Sequence, residues 1–363
     1  MDIVMEVKNL KNVLLISHEL SMTGAPVALQ YMGRQLKEDG VFVAVLSPKD
    51  GPLREEFIKA GLTVIIDESI TGSKEWIKWG EGFDLIVVNT DVIYHVINHL
   101  SGLALPVIWW THDGEMSFEL GADELLPQTI GENIHVFGGG KYARRILDKY
   151  RPQYHAKELL YCVPDFKDTL SKTYNIIIDK KGKDYLFSTV GSIDQRKGQD
   201  ILVEAIRSLP NNYLELCLFL FVGREGDEDV YRKVEQLKGD FPENIEMITE
   251  VSRDEIRDIY RQSTAVICSS RDDPMPVFMT ESLMLSVPII CSEYTGTFDL
   301  ITDRENGLIY YKNSVEELTK LLQYAIDNPE RIEEIGLDGR AVYEDNFTEL
   351  AFRNNFYHVI AEI

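Results

Sequence analysis

The segment from Ser269 to Glu281 combines acidic residues, prolines and the start of a helix, and this combination could bind an anion. It follows the apolar strand-like run Thr264–Cys268 and leads into an apolar helical run. A strand, a proline-fixed turn and a helix N-terminus in succession present free backbone N–H groups to an anion. Pro276 suits the first helical position, because its missing N–H would have no partner there anyway.

Glu281 is a carboxylate within the apolar part of this helix, about one and a half turns beyond its start. A carboxylate that is buried there needs a partner. A ribose diol would supply one while the phosphates of the same nucleotide meet the helix end. The residues alone also allow a structural reading, in which Asp272 and Asp273 cap the helix and Glu281 lies at its solvent edge.

Three other loops follow strand-like runs and carry residues suited to binding a ligand. In the first, Gly24 permits close approach to the backbone and Pro26 sets a helix start. In the second, His112 stands at a strand end, where it can hydrogen-bond a hydroxyl group. In the third, Arg196 and Lys197 lie in a glycine-bounded loop and could neutralise a pyrophosphate. Each loop also has an ordinary structural reading: a βα turn, a structural histidine and an exposed cation pair.

Composition narrows the possible functions. The 363-residue chain is 44% apolar and carries a net charge of −23, which argues against nucleic-acid binding and general attraction to anionic membranes. The four cysteines have no metal-ligand or CxxC spacing, so we expect buried thiols. With no cationic signal peptide and no apolar run long enough to span a membrane, we expect a cytoplasmic protein.

Strand-like runs alternate with helical runs along the chain, which predicts parallel sheets covered by helices. In the first half, the predicted strands are Val13–Ser17, Val41–Ser47, Thr63–Ile66, Leu85–Asn89, Val107–Thr111, Ile134–Phe137 and Leu159–Val163. In the second half, they are Leu186–Val190, Leu216–Val222, Ile245–Ile248, Thr264–Cys268 and Val287–Cys291. The polar segment Asp165–Asp184 between the halves reads as a connection. We therefore predict an α/β fold of two Rossmann-like domains that face each other across a ligand-binding cleft.

Taken together, these residues resemble the retaining glycosyltransferases of family 4 (glycosyl transferases group 1), which have the GT-B fold. The segment Asp273-x7-Glu281 resembles the family's E-x7-E motif. Gly24, His112 and Lys197 also occur along the chain in the same order as the matching residues of the family. Two positions depart from the family pattern. Asp273 stands where a glutamate is usual, and Ser192 stands where an arginine is common, although Arg196 is close enough to substitute.

The resemblance also implies a domain organisation. Residues 1–166 would form an N-terminal, acceptor-side Rossmann-like domain, and residues 167–345 a C-terminal domain that binds the nucleotide sugar. Residues 346–363 would form a C-terminal helix that packs back on the N-terminal domain.

The function implied by the resemblance is retaining transfer of a hexose-type sugar from a nucleotide-diphosphate sugar to a hydroxyl of a glycan or lipid-linked acceptor. Such reactions serve the synthesis of cell-surface polysaccharides or glycoconjugates. No metal or other cofactor is expected. The implied catalytic residues are Asp273, His112 and Lys197. The implied donor-binding residues are Gly24, Ala25, Arg196, Lys197, Val251, Met275, Pro276, Val277, Phe278 and Glu281.

Several local patterns allow other interpretations. The segment Gly138–Ala143 fits the dinucleotide pattern G-x-G-x-x-A, but it follows a late strand rather than the first. The acidic triplet Asp227–Asp229 could bind a metal ion, or could begin a helix that favours acids. A basic helix could contact a membrane surface at the cytoplasmic face, or could simply be a solvated face; its cations are Lys141, Arg144, Arg145, Lys149 and Arg151.

Two other functions remain open from the sequence. A non-catalytic glycosyltransferase-like subunit would bind a nucleotide sugar without turnover, and the departures at Asp273 and Ser192 favour it. A nucleotide-sugar epimerase on the same architecture would convert the donor without an acceptor.

Overall fold

A computed structural model describes residues 10–167, 173–274 and 276–363 of the chain. It divides the chain into two compact units. Unit 1 comprises the chain up to Pro164 together with Asn346–Ile363, and unit 2 comprises Asp165–Asp345.

Unit 1 is built on a parallel sheet. Seven strands are present in its described residues, in the order β3-β2-β1-β4-β5-β6-β7. Every pairing is parallel, as buried apolar runs joined by helices require. The strands are β1 (Asn12–Ser17), β2 (Phe42–Ser47), β3 (Thr63–Ile66), β4 (Leu85–Asn89), β5 (Val107–Thr111), β6 (Ile134–Gly138) and β7 (Lys157–Glu158).

Helices cover this sheet and enclose its core. Their bounds are α1 (Gly24–Glu38), α2 (Arg54–Lys59), α3 (Ile77–Gly80), α4 (Tyr94–Leu100), α5 (Glu115–Ser117), α6 (Asp123–Leu125) and α7 (Lys141–Tyr150). Helix α1 follows β1 directly and buries an apolar face that includes Val27, Leu29 and Met32. The buried strand residues Leu14, Val88 and Trp109 lie in a hydrophobic core with residues of α3, α4 and α7.

Unit 2 repeats this architecture. Its described residues contain six parallel strands in the order β10-β9-β8-β11-β12-β13. Counted from the first strand of each unit, the first six strands of both sheets run 3-2-1-4-5-6, the order of doubly wound nucleotide-binding folds, and unit 1 adds β7 at one edge. The strands are β8 (Tyr185–Val190), β9 (Cys217–Val222), β10 (Ile245–Ile248), β11 (Ala265–Cys268), β12 (Ile289–Ser292) and β13 (Leu308–Tyr310).

The helices of unit 2 begin at side-chain caps in several places. Asp227 accepts a hydrogen bond from the Val230 N–H, and Ser252 forms a capping box with Glu255. The helices are α8 (Gln199–Arg207), α9 (Asn211–Leu214), α10 (Glu228–Asp240), α11 (Arg253–Gln262), α12 (Val277–Met284), α13 (Val315–Asp327) and α14 (Pro329–Asn346).

The last helix, α15 (Glu349–Glu362), follows unit 2 in sequence but contacts helix α1 of unit 1. Glu349 lies 2.6 Å from the Arg34 guanidinium, and the Tyr357 hydroxyl donates to Asp39 at 2.6 Å. The buried rings of Phe352 and Phe356 on the same helix stack on each other.

Three details differ from the sequence-based expectation. The predicted strand Leu159–Val163 is wrong, because this buried segment has no ladder partner in the described chain and forms single backbone bonds instead. The strand β13 was not predicted, since three residues are too few to show a strand-like hydrophobic pattern. Pro276 precedes helix α12 as its N-cap, with extended backbone, rather than occupying the first helical position.

Candidate functional site

Lys197 and Asp273 form an ion pair in unit 2. Both side chains are largely buried, with 15% of Lys197 and 9% of Asp273 exposed. The Lys197 ammonium also lies 5.7 Å from the centre of the Phe278 ring. The structure therefore brings together the predicted cation, the predicted acid and the first turn of helix α12.

Backbone contacts hold the two loops that carry this pair. The Arg271 N–H donates to the carbonyl of Arg196 at 2.8 Å, and the Arg196 guanidinium donates to the carbonyl of Asp272 at 3.2 Å. Gly198 has φ +64°, and a Cβ atom there would lie 2.3 Å from the Ser269 carbonyl oxygen. Only glycine fits this close approach, so the backbone directly after Lys197 packs against the segment that leads to Asp273.

Ser192, the second departure from the family pattern, makes a side-chain contact within its own loop. Its hydroxyl contacts the Asp194 carboxylate, and Asp194 also accepts the Lys197 N–H at 2.8 Å. Arg196 is thus the arginine of this loop that reaches the segment carrying Asp273.

Glu281 lies on helix α12 with none of its side chain exposed. Its Oε1 atom pairs with the guanidinium of Arg253 and lies 3.8 Å from that of Arg257. Its Oε2 atom is buried and has no hydrogen-bond partner among the described residues. Sequence reasoning missed both arginines; their four-residue spacing on α11, one turn apart, is the pattern that could have revealed them.

The remaining predicted donor-binding residues of unit 2 surround these groups. Pro276 caps α12, and Val277 and Phe278 form its first turn, where backbone N–H groups have no helical acceptor. Val251 is half-buried just before α11. Met275 lies outside the described residues.

Gly24, Ala25 and His112 belong to unit 1. Gly24 begins helix α1, and the carbonyl of Ala25 accepts a hydrogen bond from the Asn89 side chain at 2.9 Å. His112 directly follows β5, and its Nε2 atom is shielded from solvent without a partner in the described chain. Burial lowers the pKa of His112 to about 4, so its ring is neutral at neutral pH.

The glycines that resemble a dinucleotide motif have a packing role. A Cβ atom at Gly139 would lie 2.3 Å from His112 Nδ1, and one at Gly138 would lie 2.5 Å from the Arg144 backbone nitrogen. Gly139 therefore leaves room for the His112 ring, and Gly138 leaves room for the backbone of helix α7.

The acidic triplet at Asp227–Asp229 forms the start of α10. Among the described residues, no group of three or more His, Cys, Asp or Glu side chains is arranged to hold a metal ion. Asp227 caps α10 by accepting the Val230 N–H, and Glu228 and Asp229 lie in its first turn. The expectation that no metal is needed stays a prediction.

Two cations of the basic helix α7 pair with neighbouring acids. Arg144 pairs with Asp148 and Glu158, and Lys149 pairs with Glu115. Within the described ranges, no helix combines the length and apolar character needed to cross a bilayer.

Both halves of the chain match glycosyltransferase families. Residues 172–342 match the family described as glycosyl transferases group 1, and residues 9–125 match glycosyl-transferase family 4. An uncharacterised glycosyltransferase of Methanocaldococcus jannaschii is 28% identical over 186 residues. That match covers 51% of this chain and 45% of the relative, so the chain spans less than half the length of this curated protein.

Solved structures share the fold at low sequence identity. HepE of Anabaena, in complex with UDP-glucose, is 14% identical with a TM-score of 0.82, covering 97% of this chain and 100% of HepE. WaaG, a glycosyltransferase involved in lipopolysaccharide biosynthesis, is 15% identical with a TM-score of 0.70, covering 96% and 99%. With its two parallel-sheet α/β domains of the GT-B class, the chain belongs to family 4 of the glycosyltransferases, the group 1 glycosyl transferases.

Proposed function

We propose that this protein transfers a hexose-type sugar from a nucleotide-diphosphate sugar to a hydroxyl group of a glycan or lipid-linked acceptor, with retention of the anomeric configuration. The observation that carries the proposal is the meeting of Lys197, Asp273 and the start of α12, with the buried Glu281 on the same helix. A nucleotide diphosphate presents the matching groups: anionic phosphates and a ribose diol.

Breaking the bond between the anomeric carbon and the phosphate develops negative charge on the departing diphosphate. Fixed hydrogen-bond donors and cations stabilise such charge most effectively. In this proposal Lys197, Arg196 and the N–H groups of Val277 and Phe278 serve that purpose. Lys197 has three donors, so it keeps Asp273 as a partner while it binds a phosphate oxygen.

Glu281 would accept a hydrogen bond from a ribose hydroxyl at its unpartnered Oε2 atom, since Oε1 is already paired with the Arg253 guanidinium. Asp273 would contact the donor sugar near the reacting carbon, Gly24 and Ala25 would contact the donor through the backbone, and His112 would bind a sugar hydroxyl. The departing phosphate would take the proton of the acceptor, so the step needs no protein base. The predicted absence of a metal cofactor belongs to this proposal.

The comparisons supply a precedent for the substrate class. HepE has been solved with UDP-glucose, and WaaG takes part in lipopolysaccharide biosynthesis. By analogy, we place the reaction in cell-surface polysaccharide or glycoconjugate synthesis, in the cytoplasm. A lipid-linked acceptor would add peripheral contact with the inner face of the membrane, which sedimentation with anionic lipid vesicles would detect.

The test incubates the full chain with UDP-glucose, UDP-galactose, UDP-N-acetylglucosamine and GDP-mannose, with and without p-nitrophenyl glycosides as acceptors. Release of the nucleoside diphosphate that depends on an acceptor, with a product of retained configuration, is the expected result. Binding without release would favour a non-catalytic subunit. Conversion of the donor sugar without any acceptor would favour an epimerase.

A further inference from the structure

Arg271 lies between strand β11 and the acidic turn that carries Asp273, and the proposed reaction gives it no part. Both its backbone and its side chain contact the loop between β8 and α8. The Arg271 N–H donates to the Arg196 carbonyl at 2.8 Å, and the guanidinium donates to the Gln195 carbonyl at 2.9 Å. Arg271 therefore binds the two residues that come directly before Lys197.

The same guanidinium also forms a two-pronged contact with Asp200. Its two terminal nitrogen atoms donate to the two carboxylate oxygens at 2.7 and 2.9 Å. This planar fork fixes direction as well as distance, and arginine is the side chain that provides it. Asp200 lies in the first turn of α8 with 14% of its side chain exposed. Because Gln195 and Asp200 stand on either side of Lys197 in the sequence, one guanidinium group spans the segment that presents the lysine.

The backbone of Lys197 is held by the same segment of chain. The Ser269 hydroxyl donates to the Lys197 carbonyl at 3.0 Å. The carbonyl groups of three consecutive residues, from Gln195 to Lys197, thus accept hydrogen bonds from residues that follow β11, and Arg271 supplies two of these three bonds. A lysine side chain is long and flexible, so its ammonium group has a defined place only when the backbone that carries it is fixed.

Binding of a donor would change which contacts hold this loop. In the structure, the ammonium group of Lys197 pairs with Asp273. A phosphate that binds this ammonium shares it with Asp273, whereas the contacts of Arg271 are made with the backbone and with Asp200. We propose that Arg271 is a positioning residue, which sets the place of Lys197 for the donor diphosphate without contacting the donor itself. This inference rests on the proposed function, because it names a residue that prepares the diphosphate part of that site.

The first experiment compares nucleoside diphosphates with nucleosides, which lack the groups that Lys197 would bind. Titration calorimetry measures the dissociation constants of UDP and GDP, and saturation-transfer NMR at millimolar concentrations measures those of uridine and guanosine. For the base that binds more tightly, we define the phosphate preference as the dissociation constant of the nucleoside divided by that of its diphosphate. This ratio separates the contribution of the phosphates from that of the base and ribose.

Arg271→Lys keeps the positive charge, but an ammonium group cannot contact Gln195 and Asp200 in the same planar fork. We expect the phosphate preference of this variant to fall about tenfold, because a small displacement of a binding group has an effect of this order. Its affinity for the nucleoside should be unchanged. A phosphate preference equal to that of the unaltered protein would show that Arg271 does not position the lysine.

A double-mutant cycle with Lys197→Met shows whether Arg271 acts through the lysine. Once the ammonium group of Lys197 is absent, Arg271→Lys should change the affinity for the diphosphate by less than about twofold. If Arg271→Lys instead weakens diphosphate binding about tenfold in both backgrounds, Arg271 acts on the donor itself and the proposal is overturned.

The matched control is Arg207→Lys, because Arg207 lies on the same helix α8 and pairs with Asp240 at 2.7 Å. Its side chain is 33% exposed, close to the 29% of Arg271. The control should keep the phosphate preference of the unaltered protein. Thermal denaturation of both variants measures stability separately, and a lower melting temperature in Arg271→Lys without a change in phosphate preference means a purely structural role, which overturns the proposal.

A second variant covers the case in which Arg271→Lys does not fold. Asp200→Asn keeps an oxygen acceptor for the guanidinium but removes the charge and the fork, so the phosphate preference should fall in the same direction. If neither UDP nor GDP binds to the unaltered protein, the proposed function fails and this inference fails with it. If Lys197→Met weakens nucleotide binding while Arg271→Lys and Asp200→Asn do not, this inference alone is overturned.

Discussion

The ammonium group of Lys197 pairs with the carboxylate of Asp273, which lies 76 positions further along the chain. The pair joins the loop before α8 to the turn before α12. One contact therefore connects the two segments that the sequence predicts to bind the donor phosphates. It also means that the cation proposed for the donor phosphates is already oriented before any donor binds.

Replacing Lys197 with methionine should weaken binding of the nucleotide sugar on the order of tenfold to a hundredfold, because a charge-assisted contact with phosphate is lost. The variant should also be less stable, since Asp273 is left largely buried without its cation. Adding Asp273→Asn should restore the melting temperature without restoring nucleotide binding. Titration calorimetry and thermal denaturation measure these effects.

The control for this substitution is Lys233→Met, because Lys233 is about half exposed and lies 3.6 Å from Asp200 in the same unit. Its nucleotide affinity should equal that of the unaltered protein. If Lys197→Met binds the nucleotide sugar as tightly as the unaltered protein, Lys197 does not contact the donor.

Replacing Arg253 with alanine should lower the free energy of unfolding by about 3 kcal/mol, because it leaves the fully buried Glu281 with Arg257 alone, at 3.8 Å. The exposed pair between Arg224 and Glu250 provides the comparison, and Arg224→Ala should cost less than about 1 kcal/mol. Urea denaturation of both variants gives the difference.

The same Arg253→Ala variant tests how Glu281 recognises the donor. If arginine orients Glu281 toward the ribose, the variant should lose affinity for UDP but show little further change for 2′-deoxy-UDP. A parallel loss for both nucleotides would contradict contact between Glu281 and the 2′-hydroxyl.

Replacing Gly198 with alanine should destabilise the protein by roughly 2 kcal/mol or more, because a positive φ is combined with a clash against the Ser269 carbonyl. Gly182 has φ +75°, but a Cβ atom there would have no described neighbour within 4 Å, so Gly182→Ala should cost only about 1 kcal/mol. Chemical denaturation compares the two. A similar cost at both positions would show that the close approach at Gly198 contributes nothing.

The stability of the protein should fall between about pH 7 and pH 5 partly because of His112. The folded ring stays neutral down to a pKa of about 4, whereas the unfolded ring takes up a proton near its ordinary value of 6.5. Unfolding therefore binds a proton in this window, and stability rises with pH. His112→Gln should remove about 2 kcal/mol of this dependence, measured by urea denaturation at both pH values.

His18 and Asp91 are present in both the unaltered protein and His112→Gln, so the difference between the two proteins reports the loss of His112, including its repulsion with His18. The raised pKa of Asp91 acts in the opposite direction, because the folded state then holds the proton more tightly. Identical pH dependence in the unaltered protein and His112→Gln would show that His112 is not shielded in solution.

Much of the fold could be predicted from the sequence because strands in parallel sheets are buried on both faces and read as short apolar runs. The run Leu159–Val163 misled this reasoning, since burial makes a coil segment as apolar as a strand. The segment satisfies its backbone elsewhere: the Leu159 N–H donates to Gly138, and the Val163 N–H donates to Phe347.

The candidate site was less predictable, because its side chains meet only after folding. Lys197 and Asp273 could be found from loops at strand ends, where ligand-binding residues gather. The partners of Glu281 could not, since Arg253 approaches it from a different helix, 28 positions earlier. The positive φ of Thr90, +79°, was invisible as well, because a β-branched residue gives no sign of a left-handed backbone.

The position of helix α15 affects how the chain acquires its structure. Unit 1 is made from two stretches of sequence, and unit 2 is an insertion between them. During synthesis unit 2 leaves the ribosome as one continuous piece, whereas unit 1 must wait for its last stretch before Arg34 and Asp39 meet their partners. We therefore expect the inserted unit to become protease-resistant first in nascent chains, and a fragment ending at Pro164 to remain sensitive.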